Sequence, residues 1–168
     1  MKYKRWISGA IGWALGGPIG AILGFTIASL LERDGVDKRV IGSGRAEGER
    51  NSFLISLLIL SAAVMKADGK VMKSELNYVK EFLVKSFGVD AAAEAIRYLR
   101  DLLEKDVDVA AVGGQISRHM PYPSRVQLFH YLVGIAMADG EVSPPELEVL
   151  RTISISLGIT EGDSGSIL

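Results

Sequence analysis

The sequence predicts an all-α protein in which a single membrane-spanning helix precedes one compact helical domain. Three observations carry that prediction. Residues 6–31 form a run of 26 residues without a charge, in which a small residue recurs every fourth position: Ser8, Gly12, Gly16, Gly20, Gly24 and Ala28. From Asn51 onward apolar residues recur at helical spacing, and no stretch shows the sustained alternation of β-branched residues that a strand requires. One short motif also occurs twice, 71 residues apart, each time between two helix-forming segments.

The uncharged run is long enough to span. At ~1.5 Å per residue it covers roughly 39 Å as a helix, more than the ~30 Å of a hydrocarbon core. A cleaved signal peptide would have a shorter apolar region and a better small-residue cleavage site than Ala28-Ser29-Leu30. The competing reading is a glycine-rich hairpin turned at Gly16-Gly17-Pro18, whose arms would each be too short to span. Pro18 within a span frees a carbonyl one turn back and predicts a kink. The fourfold strip Gly12, Gly16, Gly20 and Gly24 forms a smooth face on which a second helix can approach closely, so self-association through a glycine zipper is expected. Lys and Arg flank the run on both sides, with three before it and five in the 20 residues after it. That bias favours a cytoplasmic position for the domain that follows.

Residues 32–50 mix charge with glycine and read as a flexible tether. Six helices are expected beyond it. The first, over residues 53–65, is apolar on nearly every side and reads as a central buried helix, too short to span. The second runs from Ser74 with Leu76, Val79, Leu83 and Phe87 on one face and Gly88 as its cap. Asp90 is expected to cap the third, with Ile96, Leu99, Leu102 and Leu103 inward, and Asp108 the fourth, which ends before Pro121 and Pro123. The fifth covers residues 125–138. Ser143-Pro144-Pro145-Glu146 opens the sixth with a capping-box serine, proline at the first helical position and glutamate at the third, and Gly158 ends it.

The repeated motif is Ala-Asp-Gly-x-Val-x-x-x-Glu. Residues 67–76 and 138–147 agree at six of ten positions, including Asp68 with Asp139, Gly69 with Gly140 and Glu75 with Glu146. Two helix-turn-helix units related in this way are expected to pack about a pseudo-twofold axis. An aspartate, a glycine and a glutamate seven residues after the aspartate match the latter part of a calcium loop. The earlier ligand positions hold Val64 and Lys66, or Ile135 and Met137, so an ordinary loop of that kind is not formed. A composite site remains open if the axis gathers Asp68, Glu75, Asp139 and Glu146, since four carboxylates suit a hard divalent ion. The architectural reading uses the same residues as glycine caps, aspartate turns and first-turn glutamates.

The formal net charge of −1 divides into +3 over residues 1–31, zero over 32–50 and −4 beyond. An acidic domain without a basic stripe is not expected to bind nucleic acid. Cysteine is absent, which excludes disulfides and thiolate catalysis. His119 and His130 stand outside any metal-ligand spacing, Gly113-Gly114 lacks the lysine of a phosphate loop, and no serine lies in a nucleophile elbow. His130 is expected to be a structural residue. No enzyme is expected.

The paired motifs resemble the tellurite-resistance TerB fold, and the leader Trp-Ile-Ser-Gly-Ala-Ile-Gly-Trp-Ala-Leu-Gly-Gly-Pro-Ile-Gly-Ala resembles the anchor of DjlA-type co-chaperones. The resemblance implies an inner-membrane, single-pass protein with membrane lipids and a protein partner as its contacts. With it, residues 1–31 are expected as anchor, 32–50 as linker and 51–160 as a TerB-like domain, with 161–168 the start of a linker or of a J domain. J domains act on Hsp70 through a His-Pro-Asp tripeptide, which is not found in this sequence, so the chain by itself is not expected to stimulate an Hsp70 ATPase. The expected function is a membrane-anchored adaptor, with the Hsp70 system as partner where a J domain follows. The alternative is a metal-binding domain of stress or tellurite resistance, its ion divalent and its ligands Asp68, Glu75, Asp139 and Glu146.

Overall fold

The computed structural model describes Ile19 and residues 45–167 apart from Asp139. The expected anchor, with Gly12, Gly16, Gly20 and Gly24, lies outside the described residues apart from Ile19. Seven helices occupy residues 45–167: α1 (Arg45–Lys66), α2 (Lys73–Phe87), α3 (Val89–Leu103), α4 (Val109–His119), α5 (Tyr122–Ala136), α6 (Pro144–Ser156) and α7 (Glu161–Ile167). There is no strand among the described residues. No helix among them is long and apolar enough to cross a membrane.

The core is built around α1. Residues 54–62 are buried without a break, Ser56 and Ser61 included, because α3, α5, α6 and α4 surround this helix. A helix apolar on all sides can satisfy its surface only by being enclosed, at ~1.5–3 kcal/mol for each large side chain fully withdrawn from water. The four helices of the repeat form two crossed pairs. Helix α1 packs on α5, and each also contacts the second helix of the other unit, α6 or α2. This reciprocal packing is the pseudo-twofold that the duplicated motif predicts. Helices α3 and α7 each follow their unit after a glycine of positive φ, Gly88 at 89° and Gly158 at 69°.

Aromatic and glycine contacts fix the crossings. Tyr131 of α5 lies with its ring centroid 4.1 Å from Phe82 of α2 and 6.4 Å from Phe53 of α1. Tyr78 sits over Gly134, and the side chain of Ser156 occupies the space that a Cβ at Gly113 would take, which brings α4 and α6 together. At the far end, Arg125 donates to the carbonyls of Met120 and Leu157 and lies over the Tyr122 ring. Tyr122 in turn donates to Asp163 at 2.5 Å.

Several boundaries differ from expectation. Helix α1 begins at Arg45 and so takes in residues 45–50 of the expected tether. Asp90 does not cap α3: Gly88 turns the chain and Val89 is already helical, leaving Asp90 in the first turn. Helix α5 starts at Tyr122, with Pro123 accommodated in its first turn, where its missing N–H has no intrahelical acceptor to lose. Residues 161–167 form the helix α7, which Tyr122 holds to the domain through Asp163. Asp108 and Ser143 cap α4 and α6 as expected, accepting from the N–H groups of Ala111 and Glu146.

Candidate functional site: a carboxyl pair on the repeat axis

Each copy of the motif folds as the same turn. After α1, the Ala67 and Gly69 N–H groups donate to Val64 and Lys66 carbonyls; after α5, Ala138 and Gly140 donate to Ile135 and Met137. Gly69 and Gly140 both have positive φ, 79° and 95°, a conformation that other residues rarely adopt. Asp68 accepts from the Lys70 N–H at 3.1 Å, an aspartate turn that holds the loop before the next helix.

The two glutamates then enter helices α2 and α6 at the third position. Glu75 Oε1 accepts from the Met72 N–H at 3.3 Å, and Glu146 Oε1 accepts from the Ser143 N–H at 3.1 Å. The Ser143 hydroxyl completes a reciprocal box by accepting from the Glu146 N–H. Met72 has no oxygen with which to do the same, so the first copy keeps half of the arrangement.

The pseudo-twofold brings these glutamates together. Glu75 is 2% exposed and Glu146 3%, and their carboxyl groups are in hydrogen-bonding reach of each other. Each commits Oε1 to a backbone N–H, and each leaves a buried Oε2 without a protein donor. Burial, followed by the Glu146 charge, pushes the Glu75 carboxyl up to about 8 against the opposing hydrogen bond from Met72. The hydrogen bond to Glu146 and the Asp68 charge add to the rise. At neutral pH Glu75 therefore holds a proton that it can donate to Glu146. With a proton held on the pair, the two buried carboxyls carry one charge rather than two.

Of the four expected ligands, the structure joins Glu75 and Glu146. Asp68 is exposed, and it acts on the pair through its charge while its carboxylate serves the turn. Asp139 lies outside the described residues. Two unmet carboxylate oxygens are donors that a hard cation accepts, but no cluster of three or more His, Cys, Asp or Glu is found among the described residues. Around the two turns, Val71, Met72 and Met137 are 46%, 40% and 51% exposed. Both histidines are exposed, so the structural role expected of His130 is not found.

Residues 54–167 match the family profile of the tellurite resistance protein TerB, and residues 1–47 match that of the transmembrane domain of the co-chaperone DjlA. Comparison with curated proteins and with solved structures finds no match. The first profile covers more than half of the chain, from the buried part of α1 through α7, and includes both turns and the carboxyl pair. The second places a DjlA-type membrane anchor ahead of it. The chain belongs to the TerB family.

Proposed function

We propose that the protein is a membrane-anchored adaptor that holds its TerB domain at the cytoplasmic face of the inner membrane and recruits a protein partner there. The tandem order of an anchor profile and a TerB profile carries this reading. The five Lys and Arg residues that follow the uncharged run favour the cytoplasmic side. Val71, Met72 and Met137, exposed around the two turns, offer a partner apolar contact. The partner belongs to the Hsp70 system where a J domain follows the sequence, and a second copy of the chain joins through the anchor strip. No catalytic step is assigned to the domain.

Proximity labelling from the full chain tests this reading. Val71→Lys with Met137→Lys is expected to leave the chain in the membrane while its labelled partner set is lost. An unchanged set of partners would remove these residues from the account.

A second reading, a divalent-ion response in stress or tellurite resistance, is favoured by the two buried Oε2 atoms of Glu75 and Glu146. These residues would hold the ion, with Asp68 and Asp139 as the further acids that the repeated motif supplies. A bound divalent ion would neutralise the pair in place of the proton. Calorimetry of the full chain in detergent, titrated with calcium and magnesium, is expected on this reading to give heat that Glu75→Gln with Glu146→Gln abolishes. No heat from the unaltered chain would eliminate it.

A further inference from the structure

Within the leader, Ile19 is seated against the helical domain. It is fully buried in the same apolar cluster as Leu58, Phe129 and Ile153, and its N–H donates to Gln115 Oε1 of α4 at 2.9 Å. Gln115 is itself 2% exposed, so both halves of the contact are withdrawn from water. Ile19 is helical and follows Pro18. The Gln115 amide oxygen gives the buried Ile19 N–H an acceptor inside the domain.

Ile19 also lies at the middle of the uncharged run, 13 residues after Trp6 and 12 before Leu31. With the run spanning a bilayer, it would stand roughly 18–20 Å from either end of the helix, at the centre of the ~30 Å hydrocarbon layer. The domain cannot follow it there. Arg118 and His119, within about one turn of Gln115, are exposed, as are Arg97 and Arg100 on α3, and such groups are strongly disfavoured in lipid. The seat on α4 and the position at mid-bilayer are therefore mutually exclusive.

We propose that the leader segment at Ile19 has two alternative seats, the Gln115 face of α4 in water and the bilayer once a membrane is met, so that the helical domain shelters its own anchor before insertion. This rests on the anchor reading given above. In the water-borne state the Ile19 side chain is covered and its N–H is paired. In the inserted state the α4 face around Gln115 is released and becomes available, so membrane insertion changes the surface that the domain presents.

A diazirine-bearing leucine analogue placed at Ile19 of the full chain tests this. The chain is synthesised without cells, either free of lipid or with vesicles of phosphatidylethanolamine and phosphatidylglycerol, then irradiated and mapped by mass spectrometry. Without lipid, adducts are expected within the chain, on the α4 peptide containing Gln115; with vesicles, these give way to lipid adducts and the chain floats with the vesicles. Gln115→Met, which keeps length but removes the acceptor, is expected to lower the ratio of docked to undocked chain, read as α4 adducts against water-quenched label, roughly three- to tenfold, the effect of one net hydrogen bond. Lipid-free adducts confined to other chains, or absent from α4, overturn the proposal, as do α4 adducts undiminished in chains that float. A chain that keeps its α4 adducts but does not float refutes the anchor reading and leaves the docked seat standing alone.

Discussion

Replacing Glu75 with glutamine addresses the carboxyl pair directly. Glutamine keeps the shape of the protonated acid: its carbonyl can still accept from the Met72 N–H, and its amide can donate to Glu146 as the carboxyl does. The folded-state carboxyl of Glu75 sits at about 8 and its unfolded value is 4.5, so between those pH values the native state binds the extra proton. Stability contributed by this group is accordingly greatest below pH 4.5, falls as pH rises through the window, and is flat above about 8. At about 1.4 kcal/mol per pH unit, the loss across the window is at most about 5 kcal/mol. Glu75→Gln removes that slope. The variant should match the unaltered chain within about 1 kcal/mol at pH 4 and exceed it by about 2–5 kcal/mol at pH 9, or about 5–15 °C in melting temperature for a chain of this size. Thermal melts of both full chains followed by circular dichroism in detergent, from pH 4 to 9, measure the difference. A gap that is the same at every pH, or one that favours the unaltered chain as pH rises, would refute the shared-proton account.

Three further outcomes follow from packing and from the leader. Gly113→Ala drives a Cβ into the Ser156 side chain and should cost about 1–3 kcal/mol, most of it recovered when Ser156→Gly is added; a double-mutant cycle by denaturant unfolding reads the coupling, and strict additivity would contradict the contact. Leu58→Ala empties space at the centre of α1 and should destabilise by about 2–5 kcal/mol in the same assay, whereas a cost under about 1 kcal/mol would mean that α1 is not the core. Gly16→Ile or Gly20→Ile should weaken self-association of the leader in a membrane dimerisation reporter, and an undiminished signal would remove the small-residue strip as the contact face.

Much of this fold can be read from local chemistry. The helices of residues 53–156 follow from apolar spacing with Asp108, Ser143 and glycine as punctuation, and the duplicated motif announces the crossed pairs before any contact is known. The motif also brings the right glutamates to attention. That Glu75 and Glu146 share a proton was not legible, because the cause is their proximity and burial, which only the packing of α1 on α5 supplies. Helix α7 is hidden for a related reason: Glu-Gly-Asp-Ser-Gly-Ser-Ile has two glycines and little propensity, and Tyr122 holds it from 41 residues away. The contact between Ile19 and Gln115 spans 96 residues and leaves no periodic trace. Gln115 could have been singled out only as a polar residue among the apolar positions of α4, next to Val112 and Ile116. The early start of α1 at Arg45 defeats composition too, since glycine and charge in residues 42–50 imitate a tether.

The central claim is that a TerB domain is held at a membrane by the segment that precedes it, and alkaline carbonate extraction of membranes from cells making the full chain measures this most directly. The account predicts that the full chain remains in the membrane pellet while a chain beginning at residue 45 is released. Release of both into the supernatant would contradict it.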